Sequence, residues 1–382
     1  GIFYRLGETI EHGPKKYNIY PPKDFSKWAR ICEHIIRHYN EGWGWGVDTA
    51  PTTRNIVWSN QFNIVYWEVG NEPDLDYSGD QWKTNPRMWG GSAEEFFRLF
   101  GIAVKHLKTR FPALKIGGPA VCYDQKWTDM FLSYCQTNAV PLDFFSWHQY
   151  ARTPESFRIN VRAFRDLLDR HGFEKTESIL DEWNYVKGWG DDFVYSLRVE
   201  SGDLNLKSAA FTASVMNVCQ SGPLDMLMYY DARTSTAMNG LFERVTLWPM
   251  KGYYPFYAWS KLVDCGTEVA CTVSESRGKK TAAATGVSDE KKVAKVGKEG
   301  FRAVAAKGKD GACALFVTRY SEDNNVTDTA KVYLKLPPLD PRRVRCHVTD
   351  AVRIYTEVPL ARSEDGSYLL RMQPNSFALV EW

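Results

Sequence analysis

Over its first two-thirds the chain alternates two patterns. Short runs of apolar, β-branched and aromatic residues at 2–7, 63–70, 114–120, 143–150, 178–185 and 224–231 have the length and composition of strands. Between and after them, apolar residues recur every three or four positions at about 24–39, 92–110, 124–138, 154–171, 205–221 and 250–263, which is helical spacing. The helix starts carry their own signals. Pro21-Pro22-Lys23-Asp24 is a stop followed by an N-cap, Ser92-Ala93-Glu94-Glu95 has capping-box spacing, and Thr153-Pro154-Glu155 puts proline in a first turn. Strands alternating with helices predict βα units on a parallel sheet. The expected class is α/β, of (β/α)8 barrel type, with six units visible of the eight that a closed barrel needs.

The pattern changes near residue 266. Residues 274–300 are rich in Lys, Ala, Gly and Ser and read as a mobile loop. Alternating runs follow at 301–306, 313–319, 329–336, 343–349, 352–358, 367–372 and 376–382, without helices between them, which predicts a β-sandwich. The expected division is a partial barrel at 1–265 and a sandwich at 266–382. Asn325-Val326-Thr327 has the form of a glycosylation sequon, a pattern that also arises by chance.

Composition narrows the function classes. A net charge of +2 gives no drive toward nucleic acid or an anionic membrane surface. No apolar run reaches the length of a membrane span. Eight cysteines occur singly with no CxxC pair, so they are expected to be reduced packing residues rather than zinc ligands; Cys265 and Cys271 could bridge. The chain opens at Gly1-Ile2-Phe3-Tyr4-Arg5, which reads as mid-domain sequence, so a removed leader stays open and the compartment is undecided. Aromatic residues make up 14% of the chain, which fits either ring faces for sugars or a large aromatic core.

Two carboxylates carry the chemistry. In Tyr66-Trp67-Glu68-Val69-Gly70-Asn71-Glu72-Pro73-Asp74 a strand-like run ends in Asn-Glu-Pro, and proline stops the pairing just past Glu72. In Ser178-Ile179-Leu180-Asp181-Glu182-Trp183-Asn184 a second run ends in a carboxylate, three strands later. The carboxyl ends of barrel strands face the active site, so the two glutamates would share one rim. Glycoside hydrolysis needs such a pair, one to protonate the leaving oxygen and one to attack or activate water. The blander alternatives are an ordinary strand-to-loop exit and a salt-bridged rim residue. Between the two lies Trp147-His148-Gln149-Tyr150, where His148 and Tyr150 share a strand face and could reach the same site, Tyr150 by a hydrogen bond to Glu182. Glu8, Glu11 and His12 could bind sugar hydroxyls or form a solvated loop; Trp183, Trp189 and Tyr230 could be stacking platforms; Trp43 and Trp45 could be rim or core.

These motifs resemble glycoside hydrolase family 39, the β-xylosidase and α-L-iduronidase family of clan A. The matches are Asn71-Glu72-Pro73, His148-x-Tyr150, Glu182-Trp183-Asn184 and Pro21-Pro22-Lys23-Asp24-Phe25-x-Lys27-Trp28. The resemblance implies Glu72 as acid/base, Glu182 as nucleophile, Asn71 as partner of the sugar 2-hydroxyl, retention of configuration and no cofactor. It implies an exo-acting enzyme on a β-xyloside-like substrate, with other β-glycosides open. It also aligns 2–7 with the family's third strand, leaving the first two strands, and an arginine near the end of the second, without counterparts. Truncation is the expected reason, with a processed partner piece or a second copy of the chain covering the gap as alternatives; an open parallel edge favours self-association. Tyr229-Tyr230-Asp231 departs from the tryptophan the clan often carries after its last strand. The rival reading is a carbohydrate-binding protein with little turnover.

Overall fold

The structure, a computed structural model, describes residues 3–4, 19–41, 62–75, 77–78, 81–82, 86, 88–122, 124–189, 206–234, 240–274, 299–338 and 340–382. The segment expected to be a mobile loop falls mostly outside them. The elements in chain order are β1 (Phe3–Tyr4), α1 (Phe25–Glu41), β2 (Tyr66–Val69), α2 (Ala93–Arg110), β3 (Lys115–Val121), α3 (Gln125–Thr137), β4 (Phe144–Ala151), α4 (Pro154–Arg170), β5 (Glu177–Tyr185), α5 (Leu206–Gln220), β6 (Met226–Leu227) and α6 (Tyr254–Cys265). The sandwich strands follow as β7 (Thr267–Val269), β8 (Glu299–Lys307), β9 (Cys313–Ser321), β10 (Ala330–Leu334), β11 (Arg345–Thr349), β12 (Thr356–Glu357), β13 (Ala361–Arg362), β14 (Tyr368–Met372) and β15 (Ser376–Glu381).

Strands β1 to β6 form one sheet in sequential order. Its pairings are parallel, for example Tyr66 with Lys115 and Ile179 with Met226. Consecutive parallel neighbours joined through helices are the repeating unit of a (β/α) barrel. Among the described residues the sheet stays open, with β1 and β6 at its edges. The local signals work as read. Asp24 caps α1 by accepting from the Lys27 amide at 2.9 Å. Ser92 Oγ accepts from the Glu95 amide at 3.1 Å while Glu95 Oε2 accepts from the Ser92 amide at 2.8 Å, a complete capping box. Ser92→Ala should cost about 1 kcal/mol of stability, read as a lower urea midpoint at unchanged slope.

The chain divides into two compact units. The first comprises 1–149, 160–182 and 223–228; the second comprises 150–159, 183–222 and 229–382. This interleaved division differs from a single cut at 265, and the second unit's packing gives the reason. Its main sheet runs β7-β8-β9-β15-β11-β12, and a smaller one runs β10-β14-β13. Side chains alternate along each strand. Leu315 and Val317 of β9 and Ala378 and Val380 of β15 face the smaller sheet with Leu370 and Met372. Ala314, Phe316, Phe377 and Leu379 face the other way, onto Ala209 and Ala213 of α5 and Ala258 and Leu262 of α6. Burial on both faces is why these strands read as nearly unbroken apolar runs. Helices that continue the barrel pattern in sequence thus bury an apolar stripe on the sandwich. The expected strand at 352–358 shrinks to β12, and β7 and β13 are short strands that the sequence pattern did not announce.

The aromatic richness is largely structural. Trp89, Trp127, Trp147 and Trp183 are fully buried, and Phe97, Phe131 and Trp127 pack ring on ring between α2 and α3. All eight cysteines are free thiols, Cys265 and Cys271 included. No helix among the described residues is long and apolar enough to cross a membrane.

Candidate active site

The site of the first unit is built where β2, β3, β4 and β5 end. After Val69 the chain turns through Gly70, at φ 106°, a conformation that glycine adopts freely. A Cβ there would also lie 2.8 Å from Phe96 Cζ, so α2 packs directly beneath the turn. Glu72 is left-handed as well, at φ 48°, and its amide donates to the Ala120 carbonyl at 2.8 Å. Strained non-glycine backbone of this kind persists only where neighbours hold it, and it gathers at functional sites. The neighbours here are specific. Asp74 accepts from the Cys122 amide at 2.7 Å and the Asp124 amide at 3.0 Å, and the Ala120 amide donates to Ser146 Oγ at 2.8 Å. The segment bearing Glu72 is therefore tied to the end of β3, and β3 to β4.

His148, on β4 and only 2% exposed, stands between the two carboxylates. Its Nδ1 lies 2.8 Å from Glu72 Oε1 and 3.8 Å from Glu182 Oε2, and its Nε2 lies 3.6 Å from Asp181 Oδ1. One oxygen of Glu72, one of Glu182 and a His148 ring nitrogen all fall within 4.8 Å of one another. Burial is the largest single influence on the imidazole and disfavours its charge. The hydrogen bond to Glu72 and the charges of Glu182, Glu72 and Glu68 together outweigh it, so His148 keeps its proton to higher pH than a free imidazole. Close approach of three ligand atoms also suits a divalent cation, but the hydrogen bond between Glu72 and His148 already accounts for the arrangement.

Three further groups belong to this cluster, and none was singled out from the sequence. Glu68 and Asp181 are buried carboxyls; burial first, then the charge of Glu68, holds Asp181 well above the usual carboxylate range. The signal was available, since a carboxylate inside an apolar strand run must find a partner. Cys122 lies just past β3; burial first, then the Glu72, Asp74 and Glu182 charges, push its thiol far up, so it stays protonated and unreactive.

The remaining candidates are distributed differently. Asn71 is buried beside Glu72 in the first unit. Tyr150, Trp183 and Tyr230 belong to the second unit. There Trp183 is 0% exposed, packed edge-on against Phe157 at 5.7 Å and Tyr229 at 5.4 Å. A ring enclosed in this way has no face left for a sugar, which corrects its expected role as a platform. Trp189 is 62% exposed and meets Tyr150 edge-on at 5.5 Å. The Tyr230 carbonyl accepts from Asn184 Nδ2 at 2.8 Å. Glu8, Glu11, His12, Trp43 and Trp45 lie outside the described residues.

Consecutive parallel βα units bring two carboxylates close together, Glu72 in the turn after β2 and Glu182 on β5. Residues 12–160 match the sequence model of glycosyl hydrolases family 39, a span that includes Asn71, Glu72, His148 and Tyr150. A β-xylosidase of Caldicellulosiruptor saccharolyticus is 32% identical over 151 residues, covering 38% of this chain and 26% of that protein. A β-xylosidase of Geobacillus stearothermophilus is 25% identical over 174 residues, covering 45% of this chain and 29% of that protein. The matched region thus spans under a third of the length of these relatives. Among solved structures, a glucosidase from Croceicoccus marinus superposes with TM-score 0.65 at 19% identity, over 95% of this chain and 75% of that one. A family 39 enzyme from Xanthomonas axonopodis pv. citri gives 0.62 at 14%, over 95% and 74%. At these identities the structural likeness speaks for the fold, a barrel-type α/β sheet with additional antiparallel sheets.

Proposed function

We propose that this chain acts as a retaining glycoside hydrolase, exo-acting on β-xylosides or closely related β-glycosides, with Glu182 as nucleophile and Glu72 as acid/base. The observation that carries this reading is the separation of the two carboxylates. Retaining enzymes hold theirs about 5–5.5 Å apart, whereas inverting enzymes leave about 6.5–9.5 Å for a water. Nearest oxygens within 4.8 Å favour direct attack on the sugar. The β-xylosidases matched in sequence support the substrate class.

In the first step Glu182 Oε attacks the anomeric carbon from one face. The glycosidic bond breaks as Glu72 gives its proton to the departing oxygen, leaving a glycosyl ester on Glu182. In the second step water enters from the side the leaving group vacated, and Glu72 takes its proton. The new C–O bond releases Glu182, and Glu72 is protonated again. Two inversions give net retention. This chemistry needs Glu72 protonated and Glu182 ionised at the start. His148, hydrogen-bonded to Glu72, fixes where that carboxyl points, and Asn71 would bind the sugar 2-hydroxyl.

The test is hydrolysis of an aryl β-xyloside followed by proton NMR. The first-formed xylose should be the β-anomer, with the α-anomer appearing only as mutarotation proceeds. An α-anomer formed first would overturn the assignment, and binding without turnover by the folded chain would favour the carbohydrate-binding reading.

A further inference from the structure

Glu72, His148 and Glu182 have a second chemical capacity, which the reaction above does not use. Two carboxylates and one imidazole are a donor set for a borderline transition-metal ion, Zn²⁺ above all, which takes nitrogen and oxygen ligands together in tetrahedral sites. Bonds of about 2.1 Å to such an ion put neighbouring donor atoms about 3.4 Å apart. His148 Nδ1 lies 2.8 Å from Glu72 Oε1 and 3.8 Å from Glu182 Oε2, and one donor atom from each residue falls within 4.8 Å of the others. Side-chain shifts of about 1 Å bring all three separations to the tetrahedral value. The three donors come from the turn after β2, from β4 and from β5, all in the first unit. The Glu72 and Glu182 side chains are 14% and 12% exposed, which leaves an entry path and room for water as a fourth ligand.

A second observation points the same way. A histidine that ligates a metal almost always gives its other ring N–H to a carboxylate or carbonyl, which fixes the tautomer and strengthens the donor nitrogen. Asp181 stands in that place. Its side chain is 2% exposed, its Oδ1 has no hydrogen-bond partner, and that atom lies 3.6 Å from His148 Nε2, on the side of the ring away from Glu72. A buried polar atom left unsatisfied calls for a reason. We propose that Glu72, His148 and Glu182 form a Zn²⁺ site, with Asp181 as the positioning residue behind His148, and that the bound ion shuts the hydrolase off. The ion takes the place of the proton held between Glu72 and His148 Nδ1, which leaves to solvent. Glu72 then has no proton to give, and the Glu182 lone pair is committed to the metal instead of the anomeric carbon. Mg²⁺ and Ca²⁺, which take six or more oxygen ligands, do not fit this set. The inhibition rests on the retaining reading; the binding does not.

The test is calorimetric titration of the full chain, free of any polyhistidine tag, with ZnCl₂, and visible spectroscopy with Co²⁺ in its place. The chain should bind one Zn²⁺, and Co²⁺ should show the intense visible bands of a tetrahedral site without a sulfur-to-cobalt band in the near ultraviolet. Both signals should be lost in His148→Gln and in Glu182→Gln; if one of these variants fails to fold, the other decides. Asp181→Asn should keep the tetrahedral spectrum and weaken binding about 10–100-fold, the scale on which a carboxylate behind a ligating histidine acts. On an aryl β-xyloside, Zn²⁺ should inhibit competitively, EDTA should restore the rate, and Mg²⁺ and Ca²⁺ should have no effect. Absence of binding, binding that survives both ligand variants and so marks an adventitious surface site, or a sulfur-to-cobalt band would each overturn the site. Unchanged affinity in Asp181→Asn would overturn the role of Asp181. Binding and spectrum need no turnover, so a chain that takes up Zn²⁺ without hydrolysing xylosides would count against the hydrolase reading and leave the metal site standing.

Discussion

Glu182→Ala should reduce kcat on aryl β-xylosides by at least about 10⁴-fold, the scale on which removing a covalent nucleophile acts. Neither step of the reaction can proceed without it, because there is no carboxylate to form the glycosyl ester. Asp181 next to it cannot substitute. It is buried, and burial holds its carboxyl well above the usual carboxylate range, which makes it a poor nucleophile. Azide supplied in solution should restore turnover by entering the space the side chain leaves. The product should then be the α-xylosyl azide, since a single displacement inverts. Circular dichroism on the variant checks that the loss of activity is not a loss of fold.

Glu72→Gln should show a different signature, one that depends on the leaving group. With an unactivated alkyl or sugar aglycone, loss of the general acid should cost about 10²–10⁴-fold in kcat/KM. With a dinitrophenyl aglycone, which departs without protonation, the first step should be nearly unaffected. The glycosyl-enzyme should then accumulate, because Glu72 is also the base that activates water. Azide needs no base, and here it should yield the β-xylosyl azide, the opposite configuration from that expected with Glu182→Ala. The pair of products therefore assigns the two glutamates independently. Glutamine keeps a hydrogen bond with His148 Nδ1, so the 2.8 Å contact and the left-handed turn at residue 72 should survive the substitution.

The order of βα units and the two carboxylate-bearing segments were legible in the sequence because each rests on local signals, although β5 runs on past Glu182 to Tyr185. The capping box at Ser92 and Glu95 sets the start of α2, and the turn at Gly70 ends β2 before Glu72. What stayed hidden depends on long-range packing. Trp183 follows the nucleophile candidate in sequence and suggests a sugar platform, yet Phe157 and Tyr229 enclose it. The pattern of α5 and α6 continues the barrel repeat, and nothing local says that Ala209 and Ala213 of α5 and Ala258 and Leu262 of α6 pack on the sandwich sheet. Glu68 and Asp181 looked like incidental acids in apolar strands; only the fold buries both and brings Asp181 within 3.6 Å of His148.

The central claim is that Glu182 forms a covalent bond to the sugar. A 2-deoxy-2-fluoro-β-xylosyl donor with a good leaving group slows both steps but the second more, so the intermediate persists. The intact chain should gain the mass of one fluoroxylosyl group, and the proteolytic peptide containing Glu182 should carry it on that residue. A label on any other residue, or steady release of xylose from an aryl β-xyloside by a chain that never takes up the label, would contradict the account.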